Sequence, residues 1–185
     1  MANPELYKRS PSAKKWVGKN TIFVYKNRLF DLDEIIDALK EWSKHNAYQD
    51  FTVHLNEENV RTKGNRIRGK ITYSRRNDFY SQMYIEVKFE TVGTEPVTAK
   101  GPENEIRTMD LGVLGFKVNS YVYLDWKGIW SSSNKFGKFI HHIFFEYIYK
   151  ARYEQHKYNV GVDTGKTVGV IKSKMKEFGK FKSIS

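Results

Sequence analysis

The order of the predicted secondary-structure elements indicates an α+β fold, with an antiparallel β-sheet of about five to six strands covered by helices. Three observations lead to this prediction. One amphipathic helix pattern follows the first strand pattern, a series of strand patterns comes next, and a long apolar helix pattern occupies residues 136–155. Consecutive strands with short connections pair antiparallel, and a helix that follows them buries its apolar side on the sheet.

The first strand and the helix after it have the clearest patterns. Residues 21–26 (TIFVYK) are β-branched and aromatic, which indicates a strand. Asp31 fits the N-cap position of a helix, and Glu34 stands three residues later, as in a capping box. Apolar residues then recur at helical spacing, namely Leu32, Ile35, Ile36, Leu39 and Trp42. We therefore predict an amphipathic helix over residues 31–46.

The middle of the chain predicts a series of strands joined by loops. The strand patterns lie at residues 50–55, 66–74, 79–92, 111–118 and 120–126. The polar or glycine- and proline-containing connections between the first four lie at residues 56–65, 75–78 and 93–104. The tight connection at residues 75–78 predicts a β-hairpin with Arg75 and Arg76 at its tip.

Two helices are predicted to close the chain. The first, residues 136–155, has an apolar stripe formed by Phe136, Phe139, Ile140, Ile143, Phe144, Tyr147, Ile148 and Ala151. Phe145 and Tyr149 lie outside this stripe, and a helix that is apolar on two sides needs a partner for each. Residues 157–165 predict a loop, and residues 166–178 predict a short basic amphipathic helix.

The positive charge is concentrated at the two ends of the chain. Lys and Arg number 32 and Asp and Glu number 21, which gives a net charge of +11. Residues 1–20 carry +4 and residues 150–185 carry +6, so the middle of the chain is close to neutral. The predicted organisation is a basic N-terminal arm (1–19), a single α+β domain (20–157) and a basic C-terminal segment that includes the amphipathic helix (158–185).

The composition excludes several classes of protein. The chain has no cysteine, which excludes a disulfide scaffold, a thiolate metal site and a cysteine nucleophile. No apolar run reaches the roughly 18 residues that a membrane-spanning helix needs, and the first residues lack the apolar region of a signal peptide. We therefore expect a soluble, cytoplasmic protein, whose oligomeric state stays open.

Basic and aromatic residues adjoin at several places, which is typical of nucleic-acid-binding proteins. Lysine and arginine neutralise phosphates and release counterions, and aromatic rings stack on unpaired bases. The predicted contact residues are Lys8, Arg9, Lys14, Lys15, Trp16, Arg66, Arg68, Lys70, Arg75, Arg76, Lys172, Lys174, Lys176, Lys180 and Lys182. We therefore predict a non-enzymatic RNA- or nucleic-acid-binding protein, attached for example to the ribosome or another ribonucleoprotein, with no cofactor, metal or catalytic residue.

Two other functions fit the predicted fold. The element order resembles that of helix-grip (START-like) proteins, and this resemblance implies an apolar small molecule bound between the sheet and helix 136–155. Phe139, Ile143 and Phe144 would then line the pocket. The two apolar sides of the same helix also fit a capsid-like structural protein that associates with itself.

Two short motifs are similar to motifs of enzymes. Glu86-Val87-Lys88 resembles the second half of a nuclease motif in which a carboxylate binds a divalent metal and a lysine positions water. Asp78 is the nearby acidic candidate, and a metal-dependent nuclease is a remote alternative. The solvent-facing side of an alternating strand explains Glu86 and Lys88 as well. Residues 161–167 resemble a P-loop that is one residue too short, which favours a simple loop.

Overall fold

The computed structural model describes residues 15–18, 20–60, 64–125, 127, 130 and 135–184. In chain order, the elements are β1 (Lys15–Val17), β2 (Thr21–Phe30), α1 (Leu32–His45), β3 (Gln49–Val60), β4 (Gly64–Arg76), β5 (Ser81–Lys100), β6 (Ile106–Leu124), α2 (Lys135–Ile143), a π-helical segment (Phe144–Tyr149), α3 (Lys150–Phe178) and β7 (Lys182–Ser183). The predicted α+β class, with a helix after an early strand and a long C-terminal helix, is confirmed.

The strands form one antiparallel sheet. β3, β4, β5 and β6 are neighbours in that order and make a meander. β1 and β2 pair with the free side of β6 at different heights, and β7 pairs with the end of β5. Because α1 connects β2 with β3, the chain crosses from one edge of the sheet to the other before the meander begins.

Helices α1 and α3 pack together on one face of the sheet. The predicted cap is present, since the carboxylate of Asp31 accepts a hydrogen bond from the backbone N–H of Glu34 at 3.1 Å. Buried side chains of the two helices, such as Leu39 and Ile171, belong to one core with inward-facing strand residues such as Val87. Among the described residues, no helix lies on the opposite face, which we call the open face.

The strands are longer than the sequence predicts. β3 and β4 take up most of the loop predicted at residues 56–65, and β5 takes up most of the loop predicted at 93–104. The two strands predicted at residues 111–118 and 120–126 are one strand, β6. The pairing of β5 with β6 is shifted between Val92 and Glu95, and Gly93 has a φ of 64° there. The sequence predicts a loop here because a glycine inside a strand, at a β-bulge, has the same local pattern as a glycine in a loop.

The C-terminal helical region is continuous. The predicted loop at residues 157–165 is wrong, because α3 runs through it and ends at Phe178. A β-carbon added at Gly161 or Gly165 would meet no atom within 4 Å, so these glycines lie on the open side of the helix. Val160 and Thr164, the residues immediately before these two glycines, are buried. Packing of this buried side outweighs the weak helix propensity of glycine.

In α2 and the π-helical segment, the residues of the predicted apolar stripe are not the ones that are buried. Phe139 and Tyr147 of the stripe are 58% and 84% exposed, whereas Phe145 and Tyr149, outside the stripe, are buried. Tyr149 packs against Tyr80, which follows β4, with ring centroids 4.6 Å apart. None of the described helices has the length and the hydropathy that a membrane-spanning segment requires.

Candidate nucleic-acid interface

A row of basic residues crosses the open face. Lys117 of β6 pairs in register with Lys88 of β5, Lys88 pairs with Lys70 of β4, and Lys70 pairs with His54 of β3. Residues in register point to the same face, and neighbouring strands are about 4.8 Å apart. Three lysines therefore stand side by side on three adjacent strands. We call Lys70, Lys88 and Lys117 the lysine row.

Few carboxylates accompany the lysine row. Lys88 Nζ lies 3.4 Å from Glu86 Oε1, and Glu86 also accepts a hydrogen bond from Asn119. Within the described part of the chain, Lys70 and Lys117 have no carboxylate within ion-pair distance. Like charges directly opposite each other destabilise a sheet. The repulsion between these lysines therefore lowers the stability of the folded sheet.

Two arginines extend the basic surface along β4. Arg66 and Arg68 both donate hydrogen bonds to Glu90, which lies opposite them on β5. The hydrogen bond from Arg66, together with that from Arg68, holds the pKa of Glu90 below its usual range. Glu90 is therefore charged at neutral pH and bridges the two guanidinium groups.

An open pocket of about 430 Å³ lies beside the lysine row. Its wall on the β2 side is apolar and is formed by Ile22 and Val24, which are 65% and 53% exposed. Arg68, Glu90 and the lysine row also line the pocket, together with Phe89, Phe116, Gly69 and Gly115. An apolar wall facing several cations suits a ligand that is both ring-bearing and anionic, such as a nucleotide.

Three tyrosines form a second feature of the open face. Tyr84 of β5 pairs in register with Tyr121 of β6, and Tyr123 lies two residues further along β6. The ring centroids of the three lie 6.0–6.1 Å apart. Partial burial raises the pKa of Tyr123 to about 12 and also raises the pKa of Tyr84 and Tyr121. Their hydroxyl groups are therefore neutral, and we call these residues the tyrosine cluster.

The structure separates the two arginines predicted at the hairpin tip. β4 continues through Arg76, so the predicted turn at residues 75–78 is wrong and the connection begins after Arg76. Arg75 points towards the helices, where its guanidinium donates to Asp163 Oδ2 at 2.9 Å and to the carbonyl oxygen of Asn46 at 3.0 Å. These bonds tie β4 to α1 and α3, so Arg75 has a structural role. Arg76 is exposed.

Arg76 lies in register with Tyr123 of the tyrosine cluster, two strands away. It pairs with Gln82, Gln82 pairs with Tyr123, and Tyr123 pairs with Lys15 of β1. Trp16 is the next residue of β1. The other predicted residues of the N-terminal arm, Lys8, Arg9 and Lys14, are outside the described residues.

The predicted C-terminal lysines are not brought together with those of the sheet. Lys172, Lys174 and Lys176 belong to α3, which covers the face opposite the lysine row. Lys174 Nζ bonds to Glu34 at 2.7 Å and to Glu177 at 3.1 Å, so its charge is compensated. The other predicted contact residues of the C-terminal segment are exposed, namely Lys172, Lys176, Lys180 and Lys182.

Sequence reasoning missed the central members of the interface. Alternation along β5 placed Lys88 and Tyr84 on the solvent side of a strand, and nothing more. Alternation along one strand does not predict that Lys88 stands between Lys70 and Lys117. If β5 were shifted by two residues against its neighbours, the same side chains would face solvent, but Lys88 would have other cross-strand partners. The repeated pattern of lysine and tyrosine four residues apart, at 117 and 121 and at 88 and 84, was the available signal.

The residues considered for a ligand pocket and for a nuclease lie in the following places. Phe139 and Ile143 are exposed and so do not enclose a pocket between helix and sheet. Asp78, the acid considered for a nuclease, accepts hydrogen bonds from Tyr149 and from the backbone N–H of Ser81. Among the described residues, no group of three or more His, Asp or Glu side chains is arranged to hold a metal ion. The segment resembling a P-loop is helical.

No family model matches the chain, and neither a curated protein nor a solved structure matches it.

Proposed function

We propose that this protein binds RNA or another nucleic acid through the open face of its sheet, without catalysing a reaction. The observation that carries the proposal is the lysine row, in which Lys70, Lys88 and Lys117 stand in register on adjacent strands. A polyphosphate chain is the ligand that fits such a row, since it presents a series of negative charges and releases counterions when lysines neutralise them.

The surroundings of the row support the same ligand. Five cations lie on this part of the open face, namely the lysine row together with Arg66 and Arg68, and within the described side chains Lys70 and Lys117 have no carboxylate within ion-pair distance. The excess charge is therefore local and does not depend on the ends of the chain. Contacts with phosphates give affinity without a choice of sequence, so we expect weak base specificity and a steep dependence on salt. Attachment to a ribonucleoprotein such as the ribosome is one form of this function.

Neutralising the lysine row tests the proposal. The triple variant Lys70→Gln, Lys88→Gln, Lys117→Gln keeps side chains of similar length and removes three charges. Fluorescence anisotropy with a labelled single-stranded RNA, measured at several salt concentrations, should show a weaker dependence of log Kd on log salt, by about two units, because a single strand loses about 0.7 unit for each of the three phosphate contacts. At low salt we expect a loss of affinity on the order of 100-fold.

A matched control separates the open face from net charge. Lys172→Gln, Lys176→Gln, Lys180→Gln removes three charges from exposed positions outside the open face. This variant should bind RNA nearly as the unmodified protein does. An equal loss in both variants would show that net charge alone governs binding, and an unmodified protein that does not bind RNA at low salt would refute the proposal.

The exposed apolar side of α2 and of the π-helical segment after it favours a second candidate function, a capsid-like structural protein that associates with itself. Phe136, Phe139 and Tyr147 leave most of their apolar surface in water. A second copy of the chain suits this side, because an antiparallel pairing of residues 135–149 of two copies about their middle brings Lys138 of each copy level with Glu146 of the other, which already pairs with Lys150 of its own chain. Such a two-fold contact uses the same surface on both copies.

A further inference from the structure

The tyrosine cluster and the lysine row lie on the same face and on the same two strands. Lys88 and Tyr84 are four residues apart on β5, and Lys117 and Tyr121 are four residues apart on β6. At about 3.3 Å per residue, the two features are separated by about 13 Å. A nucleic-acid strand that contacts the lysine row can therefore extend onto the tyrosines.

The three rings form a preorganised aromatic surface. Tyr84 contacts both Tyr121 and Tyr123, and each pair of centroids is about 6 Å apart. The hydroxyl group of Tyr121 donates a hydrogen bond to Glu86 Oε1 at 3.4 Å, and this bond limits the rotation of the Tyr121 side chain. All three side chains are partly exposed. The rings are not coplanar, since Tyr84 lies at 85° to Tyr123 and at 47° to Tyr121. Because the rings already hold one another in place, a base that stacks on one of them orders few additional side-chain torsions.

A basic residue stands at one end of the row that contains Tyr123. Arg76 pairs with Gln82, and Gln82 pairs with Tyr123. With the lysine row, the aromatic surface thus has basic residues on two sides. Aromatic rings for bases, next to cations for the backbone, are the combination found in proteins that hold single strands.

We infer that the tyrosine cluster stacks on unpaired bases and that the nucleic acid bound at the open face is single-stranded. This inference rests on the proposed function. Bases of a duplex are stacked on one another and present only their edges in the grooves, whereas an unpaired base offers its whole face to an aromatic ring. The lysines contact phosphates of both forms, so the tyrosine cluster is the feature that distinguishes them.

Paired substitutions in the cluster test the inference. Tyr84→Leu with Tyr121→Leu removes two aromatic faces but keeps apolar bulk, and Tyr84→Phe with Tyr121→Phe keeps the faces and removes the hydroxyl groups. Anisotropy is measured with a single-stranded RNA of about twelve nucleotides and with the same sequence as a duplex. We expect the leucine variant to lose about tenfold or more in affinity for the single strand and to bind the duplex unchanged. The phenylalanine variant keeps both aromatic faces, so it should keep the preference for the single strand that the leucine variant loses.

A photo-crosslink gives a second readout that does not depend on affinity. A single-stranded RNA carrying 5-iodouracil should crosslink to Tyr84, Tyr121 or Tyr123, and mass spectrometry identifies the residue. Crosslinks confined to other residues would overturn the inference. So would a leucine variant with an unchanged preference for the single strand, or an unmodified protein that binds the duplex more tightly.

The outcomes distinguish the inference from the proposed function. If the lysine-row variant loses binding to both RNA forms while the tyrosine variants change nothing, the proposed function stands and the inference fails. If the unmodified protein binds neither RNA form at low salt, both fail. The melting temperature of each variant shows whether the fold is intact. The melting temperature of the leucine variant is compared with that of the phenylalanine variant, which has the same two positions changed.

Discussion

Three glycines of α3 show how a single residue type can conceal a helix. Gly161, Gly165 and Gly169 are four residues apart on the exposed side of the helix, where an added β-carbon would meet no atom within 4 Å. Each glycine costs a helix roughly 1 kcal/mol relative to alanine. The sequence therefore indicates a loop, although the opposite side of the same segment is buried.

We expect Gly165→Ala to stabilise the protein. The open space accepts the methyl group, and alanine lowers the entropy of the unfolded chain, so the free energy of unfolding should rise by about 0.5–1 kcal/mol. Urea denaturation followed by circular dichroism measures the change.

Gly69→Ala is the matched contrast for this prediction. Its β-carbon would overlap the ring of Phe89, which lies over Gly69 on the neighbouring strand. The same substitution should therefore destabilise the protein at this position. If Gly165→Ala also destabilises it, the exposed side of α3 packs against something that the described residues do not include.

Arg75 shows how a distant partner decides the role of one side chain. In the sequence, Arg75 and Arg76 are equivalent neighbours. In the structure, alternation turns Arg75 towards Asp163, which is 88 residues away, and leaves Arg76 exposed. The aromatic ring of Tyr48 also lies 4.8 Å from the Arg75 guanidinium. The surroundings of Arg75 are hence set by three elements that meet only in the folded chain.

At the scale of the element, the lysine row implies a cost to the sheet. Lys88 has a lysine directly opposite it on each neighbouring strand. Cross-strand pairs of like charge are destabilising by up to about 1 kcal/mol, and Lys88 faces these two lysines with one ion pair, to the mostly buried carboxylate of Glu86 at 3.4 Å. A residue that opposes folding in this way points to a ligand that compensates it.

We accordingly expect Lys88→Gln to raise the melting temperature at low salt. The gain in the free energy of unfolding should be about 0.5 kcal/mol and should shrink as salt screens the repulsion. Differential scanning calorimetry at two salt concentrations measures both effects.

Lys40→Gln, on the exposed side of α1, is the control and should change the melting temperature little. A lower melting temperature for Lys88→Gln would contradict the prediction, since the contact with Glu86 would then outweigh the repulsion between lysines.

For the whole molecule, the proposed function places the nucleic-acid contacts on the sheet, whereas the sequence alone predicts them at the ends of the chain. Most of the net charge lies in the terminal segments, so the sequence alone predicts that trimming them largely abolishes binding. The lysine row belongs to the nearly neutral middle of the chain, whereas Lys172 and Lys176 sit on the helical layer. Under the proposed function we therefore expect the open face to bind RNA without the lysines of the C-terminal segment.

Self-association is the prediction that belongs to the whole molecule. If two copies pair through α2, light scattering after size exclusion should show a mass that rises towards that of a dimer with concentration. Phe139→Ser with Tyr147→Ser removes two of the most exposed apolar side chains. This variant should remain a monomer with an unchanged circular dichroism spectrum. An unmodified protein that is monomeric at every concentration would contradict the second candidate function.

The sequence by itself determines the elements and their order. Capping at Asp31, helical spacing in α1 and alternation in β5 are local patterns, and each depends only on residues close together in the chain. From these patterns follow the α+β class, the position of α1 and the side of the sheet on which Lys70 and Lys88 lie.

Only the tertiary structure decides which residues become neighbours. A strand that slips by two residues keeps its faces but exchanges all its cross-strand partners, so the lysine row and the tyrosine cluster depend on a register that no single strand encodes. Similarly, α3 remains helical through its glycines because Val160 and Val168 are buried against the rest of the protein. Such contacts join distant parts of the chain, and their free energy outweighs local preferences.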